Sequence, residues 1–114
     1  MIEQSGPEDT KIVTLARSAR ARTRAREGAC VRDTDGRTYA AATIDRGSLK
    51  LSAVQLAVAM AASSGARSLE AIAVLGESTT INDSDLAAVR DLAGPGVTVL
   101  VVSPDGTVLE SVTT

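Results

Sequence analysis

Apolar residues along this chain switch between helical and strand-like spacing, and the switches divide it into elements. Ile12, Leu15, Ala16 and Ala19 recur at i, i+3, i+4 and i+7, which predicts the buried stripe of a first helix. Ser5-Gly6-Pro7-Glu8 has the form of a capping box, with proline suited to an early helical position. Arg17, Arg20 and Arg24 then fall on the opposite, solvated face. The helix is expected to reach Arg24 or Arg26, with Gly28 ending it. Ala29 to Thr34 reads as a strand, Asp35-Gly36 as a hairpin turn, and Arg37 to Thr43 as the returning strand. Ile44 to Lys50 reads as a loop.

A second helix opens at Leu51 or Ser52 and ends before Gly65. From Ala53 to Ala62 only Gln55 interrupts its apolar residues, so the helix is expected to be covered on every side. Sheet and partner subunit, or sheet and other helices, would supply the cover. Leu69 to Leu75 predicts a third strand. Asn82 or Asp83 can cap a third helix over Ser84 to Leu92, and Gly94-Pro95-Gly96 stops it. Val97 to Val102 is a continuous apolar run, as in a central strand buried on both faces. Ser103-Pro104-Asp105-Gly106 is a tight turn, and Thr107 to Val112 returns as an edge strand. The order αββαβαββ predicts an α/β fold, a five-stranded mixed sheet with helices on its faces. Residues 1–5 are expected to form a flexible N-terminus and residues 6–114 a single domain.

Composition narrows the chemistry. The 114 residues include no histidine, one cysteine (Cys30) and one aromatic (Tyr39). A lone cysteine excludes an internal disulfide, and the N-terminus lacks the pattern of a signal peptide, so a cytoplasmic protein is expected. No apolar run is long enough to span a bilayer. Net charge is −2, yet residues 1–50 hold ten Lys/Arg against seven Asp/Glu, and residues 51–114 two against seven. Arg17, Arg20, Arg22, Arg24 and Arg26 lie in one stretch. A basic helix face can meet phosphate or an acidic surface. The acidic total and the missing aromatics disfavour nucleic acid. Cys30, between Ala29 and Val31, reads as a small buried apolar side chain.

Several segments, in order, resemble the cytidine deaminase family, in its short tetrameric form. Thr14-Leu15-Ala16-Arg17-Ser18-Ala19 resembles its first helix, and Gly28 to Tyr39 its first hairpin. Thr43-Ile44-Asp45-Arg46-Gly47-Ser48 stands where the family has Asn-x-Glu-Asn-Ala-Ser. Leu51-Ser52-Ala53-Val54-Gln55-Leu56-Ala57 stands at Leu-Thr-x-Cys-Ala-Glu-Arg. Gly65-Ala66-Arg67-Ser68-Leu69-Glu70-Ala71-Ile72-Ala73-Val74 is similar to Gly-x-Arg-x-Phe-x-Ala-Ile-Ala-Val. The resemblance implies a three-layer α/β/α cytidine deaminase-like fold.

It also implies a zinc site that this chain does not furnish. The family's cysteine ligand and proton-shuttling glutamate fall at Val54 and Leu56, which can neither bind metal nor carry a proton. The second ligand motif, Pro-Cys-x-x-Cys, falls near Asn82 to Leu86, so Asp83 and Leu86 stand in that region. No metal, no cofactor and no catalytic residue of the family mechanism is therefore expected. A Ser-Lys pair of Ser48 or Ser52 with Lys50, and a cation held by Asp83 and Asp85, compete with blander readings as solvated groups and a helix cap. The ribose-gripping positions become Thr43 and Asp45, of which Asp45 can still accept a hydroxyl proton.

Three functions are compatible with this pattern. The first is a non-catalytic relative (a pseudoenzyme) acting through a homo-oligomer, dimer or tetramer, or through an unidentified protein partner. In tetrameric relatives the second helix lies near the middle of the assembly, so Val54 and Leu56 would fill the old metal cavity and make that helix more apolar. Arg17, Arg20 and Arg24 offer a second interaction face. The second function is a nucleoside or nucleotide sensor keeping a pocket around Thr43 and Asp45. The third is a hydrolase by family membership alone, without the residues for it.

Overall fold

The structure, a computed structural model, describes residues 6–114. Its core is one sheet in the order β2-β1-β5-β6-β7, with helices on both faces. The strands are β1 (Glu27–Asp33), β2 (Thr38–Ala42), β5 (Leu69–Gly76), β6 (Thr98–Val102) and β7 (Val108–Thr113). Only β5 and β6 run parallel; every other pairing is antiparallel. Helix α1 (Pro7–Thr23) covers one face, while α2 (Ala53–Ser63) and α3 (Asp83–Ala93) lie together on the other.

Strand alternation sorts the core into two layers, because successive side chains point to opposite faces. Ala29, Val31, Ile72, Val74, Val99 and Val101 join the α2–α3 layer. Cys30, Ala71, Ala73, Leu75, Leu100 and Val102 join the α1 layer with Ile12, Val13 and Ala16. The central position expected for Val97 to Val102 follows from this double burial. The Cys30 thiol is fully buried, and that burial pushes it up to about 11, away from reactivity.

Three local expectations change. Ile44 to Lys50 is no plain loop: β3 (Ile44–Arg46) pairs antiparallel with β4 (Leu49–Leu51) around Gly47, where φ is 55°. Three residues per strand are too few to show alternation, so the order becomes αββββαβαββ while the main sheet keeps five strands. Gly28 does not end α1. The helix stops at Thr23, with Arg24 in the left-handed region at φ 55°. Gly28 instead sits in β1, where a Cβ would lie 2.0 Å from the Ala16 carbonyl oxygen. The expected capping box involves Ser5, which, like the loose segment 1–5, lies outside the described residues; Gly6 occupies the N-cap position.

Within this chain helix α2 is covered on one side, so of the two expected covers for its other face the chain's own helices do not supply one. Ala53, Val54, Ala57, Val58 and Ala61 are buried, but Ala59, Met60 and Ala62 are exposed. The sheet and α3 cover one side, and the chain leaves the other open. At the far end of the sheet the β1–β2 turn closes on Asp33. Its buried carboxylate accepts from the Asp35 and Arg37 backbone N–H groups, each at 2.9 Å, and from the Tyr39 hydroxyl at 3.1 Å.

Candidate functional site

The first turns of α2 and α3 meet on one face of the sheet. Ser52 caps α2: its Oγ accepts from the Gln55 backbone N–H at 3.0 Å, and Gln55 Oε1 accepts from the Ser52 backbone N–H at 3.0 Å. This reciprocal capping box is the reason the helix starts there. The Ser52 hydroxyl also donates to Asp85 Oδ1 at 2.5 Å, and Asp85 lies in the first turn of α3. Asp85 is only 2% exposed. Two helix N-termini, with their unpaired N–H groups and partial positive charge, favour a carboxylate in that position.

The substituted family positions lie on the same two helices. Val54 is fully buried in the core. Leu56 is only half-buried and packs at the edge of that core, so it does not fill a cavity completely. Asp83 is exposed, whereas Leu86 is half-buried against the same core. Asp83 and Asp85 thus point to different environments and do not form a cation pair. Lys50 Nζ lies 3.8 Å from Asp45 Oδ1 while Ser52 turns to Asp85, so no Ser-Lys pair forms.

A cleft of about 400 Å³ opens beside the Ser52 cap, lined in part by Glu27, Thr43, Asp45, Ser52, Gln55 and Asn82. Burial raises the Glu27 carboxyl above its usual range, the Asp85 carboxylate adds to the rise, and Arg26 partly offsets it. Thr43 and Asp45 do come together here, but both have structural work. Thr43 Oγ1 accepts from the Glu27 backbone N–H at 3.1 Å and donates to the Glu27 carbonyl at 3.3 Å, clipping the end of β2 to the start of β1. Asp45 and Lys50 stand opposite each other across the β3–β4 hairpin.

The arginines expected on one helix face separate. Arg20 donates from Nε to the Arg26 carbonyl at 3.1 Å and lies 4.0 Å from Glu77. Arg17 lies beside Gly106 in the β6–β7 turn. Arg24 is the C-cap of α1 and lines a second cleft of about 480 Å³, together with Thr43, Asp45 and Leu56. A third, apolar depression runs along the open side of α2, from Tyr39 across Leu56, Ala59 and Met60 to Ser63. The Ser52–Asp85 contact was not anticipated, although Ser52 and Gln55 carry the capping-box spacing that signals half of it.

The family model for cytidine deaminase-like proteins matches residues 5–106. This chain belongs to the cytidine deaminase-like family. Its fold is similar to that of the cytidine deaminase from Burkholderia pseudomallei, at 22% identity and a TM-score of 0.76, covering 91% of this chain and 89% of that one. The cytidine deaminase from Mycobacterium leprae matches at 19% identity and a TM-score of 0.71, covering 90% of each chain. No curated protein matches.

A zinc ion does not fit this cytidine deaminase-like chain. A catalytic zinc site needs three protein ligands, and the chain offers no histidine and a single cysteine. Cys30 faces the α1 layer, on the side of the sheet away from α2 and α3. Among the described residues no group of three His, Cys, Asp or Glu could hold a metal ion, and no buried side-chain polar atom lacks a partner. The Ser52–Asp85 bond spans the two helix N-termini, and Val54 is buried in the core. The residues for zinc-dependent deamination are missing. No helix among the described residues is long and apolar enough to cross a membrane.

Proposed function

We propose that this protein is a non-catalytic member of the cytidine deaminase-like family that acts by assembly, as a homo-oligomer built on the open side of α2. The observation that carries the reading is the row Leu56, Ala59, Met60 and Ser63. These positions follow i, i+3, i+4 and i+7, so they form one helix face, and Tyr39 extends it. Met60 is 37% exposed, the large apolar side chain that this helix leaves open beside Leu56 and Tyr39. A self-complementary surface of this kind suits a symmetric dimer, or a tetramer if a second face joins. Pairing with a different protein through the same face is the other form of this reading. Its compartment is the cytoplasm, where a chain with one buried thiol has no disulfide to form.

A nucleoside sensor centred on Thr43 and Asp45 has less support. The Thr43 hydroxyl is already engaged on both sides by Glu27, and Asp45 faces Lys50.

Sedimentation velocity of the full chain tests the assembly. The wild type is expected to sediment as a dimer or tetramer at micromolar concentration, and Met60→Glu as a monomer with unchanged circular dichroism. A monomeric wild type, or an oligomer indifferent to both Met60→Glu and Leu56→Glu, would sink the reading.

A further inference from the structure

The cleft between the end of α1 and the β3–β4 hairpin gathers three arginines, none of them in an ion pair among the described residues, with Glu27 the one carboxyl whose charge Arg26 feels. Arg24, Arg26 and Arg46 line it, and all three are exposed. Their side chains have no ion pair or hydrogen bond among the described residues. The contrast is with Arg32, which reaches Asp9 at 3.2 Å and Glu70 at 2.9 Å, and with Arg20, which is committed to the Arg26 carbonyl and to Glu77. Asp45 is the one acidic side chain lining the cleft, and Lys50 stands 3.8 Å from it. The cleft therefore keeps an excess of positive charge on a chain whose net charge is −2.

The local fold explains the gathering. Arg24 takes the left-handed conformation that ends α1, and the chain reverses into β1 within three residues, so Arg24 and Arg26 flank a tight turn. The β3–β4 hairpin brings Arg46 across from them. Leu56, Ile44 and Ala42 supply apolar walls. At about 480 Å³ the cleft falls within the range of roughly 300–1,000 Å³ typical of small-molecule sites. Planar guanidinium groups match the oxygens of a phosphate, often two bonds at a time.

We propose that this cleft binds a small phosphorylated organic molecule, with Arg24, Arg26 and Arg46 on the phosphate and the apolar walls on its uncharged body. The site goes beyond assembly: Leu56 borders both the cleft and the α2 row, but none of the three arginines lies on that row, so the phosphate contacts are separate from the assembly face. An extended nucleic acid fits less well. The single aromatic, Tyr39, lines the α2 depression and not this cleft, so there is no stacking platform beside the phosphate site.

Calorimetric titration of the full chain tests the proposal. The probes are inorganic phosphate, ribose 5-phosphate and a nucleoside monophosphate, each organic ester paired with its dephosphorylated counterpart. At least one ester is expected to bind about tenfold or more tightly than its counterpart, with inorganic phosphate competing and added salt weakening the complex. Arg46→Gln and Arg24→Gln are each expected to weaken binding about tenfold. Arg37→Gln, in the distant β1–β2 turn, is expected to leave it unchanged. Three results would overturn the site: no saturable binding of any ester, equal affinity with and without the phosphate, or an equal loss in Arg37→Gln. A single-stranded oligonucleotide binding more tightly than every ester would overturn the small-molecule assignment. Sedimentation of the same variants reports assembly separately, so failure of one reading is distinguishable from failure of the other.

Discussion

Ser52 and Asp85, 33 residues apart in sequence, share a 2.5 Å hydrogen bond that joins the N-terminus of α2 to that of α3. Ser52→Ala removes the helix cap and leaves a buried carboxylate without its hydroxyl partner. The expected loss is about 2.5–4 kcal/mol in urea unfolding, because a cap contributes about 1 and a bond to a charged group about 1.5–3. Ser52→Thr keeps the hydroxyl and should recover most of it. A Ser52→Ala loss below about 0.5 kcal/mol would show that the contact contributes little.

Glu27 sets a pH dependence of defined sign. Burial, then the Asp85 carboxylate, raises its folded-state pKa above 4.5, so the folded state holds the proton more tightly than the unfolded one. Its contribution is fully present below pH 4.5 and is lost as pH rises through the folded value. Glu27→Gln should therefore raise the urea midpoint at pH 7 and make little difference at pH 4. Parallel unfolding curves at both pH values check this. A variant equally or less stable than wild type at pH 7 would contradict it.

The two core layers were legible from spacing alone. Ile12, Ala16 and Ala19 share a helical stripe, and the run from Val97 to Val102, interrupted only by Thr98, announces a strand buried on both faces. Cys30 was readable as inert because it stands between two apolar residues. What escaped depends on contacts between distant segments. Gly28 looks like a helix stop, yet its role is to let α1 lie on β1, and nothing nearby in sequence indicates that. Ser52 carries the signal of a cap, but Asp85 as its second partner exists only once the sheet has brought α3 beside α2. Leu56 reads as interior because its neighbours are apolar; half of it emerges because α3 covers only one side of the helix. The arginines fail as one face for a related reason: Arg24 leaves the helix at its cap and joins Arg26 and Arg46 instead.

Gly28→Ala tests the close approach of α1 to β1. The new Cβ would meet the Ala16 carbonyl oxygen at 2.0 Å and Arg20 Cβ at 3.0 Å, and the first is backbone that cannot rotate away. The helix must shift as a body, so a loss of about 3 kcal/mol or a failure to fold is expected, at the upper end of what overpacking costs. Thermal and urea unfolding measure it. A well-folded variant within about 0.5 kcal/mol of wild type would mean that α1 is not seated as described.

Tyr39 is the only tyrosine and there is no tryptophan, so its ionisation can be followed alone in the near-ultraviolet. Burial and then the hydrogen bond to Asp33 raise the phenol above 10.0. A phenol raised in the folded state contributes stability below its unfolded pKa and loses it as pH rises through the folded value. The native midpoint should exceed the midpoint in urea, and Asp33→Asn should narrow the gap. Coincident native and urea curves would exclude the Asp33 contact in solution.

Metal removal separates this chain most directly from a zinc enzyme. Zinc needs three thiolate, imidazole or carboxylate donors converging on one point, and among the described residues no such group exists; the one thiol is buried on the α1 side of β1. Asp85, the buried carboxylate in the first turn of α3, is already bonded to Ser52. Dialysis against a chelator should therefore leave the melting temperature unchanged, and added zinc should not raise it. A ligand that binds only the folded state at a hundred times its dissociation constant adds about 2.7 kcal/mol, which a melting curve resolves easily. Stoichiometric zinc in the purified protein, together with a melting temperature that falls on chelation, would require donors in a geometry this fold does not provide.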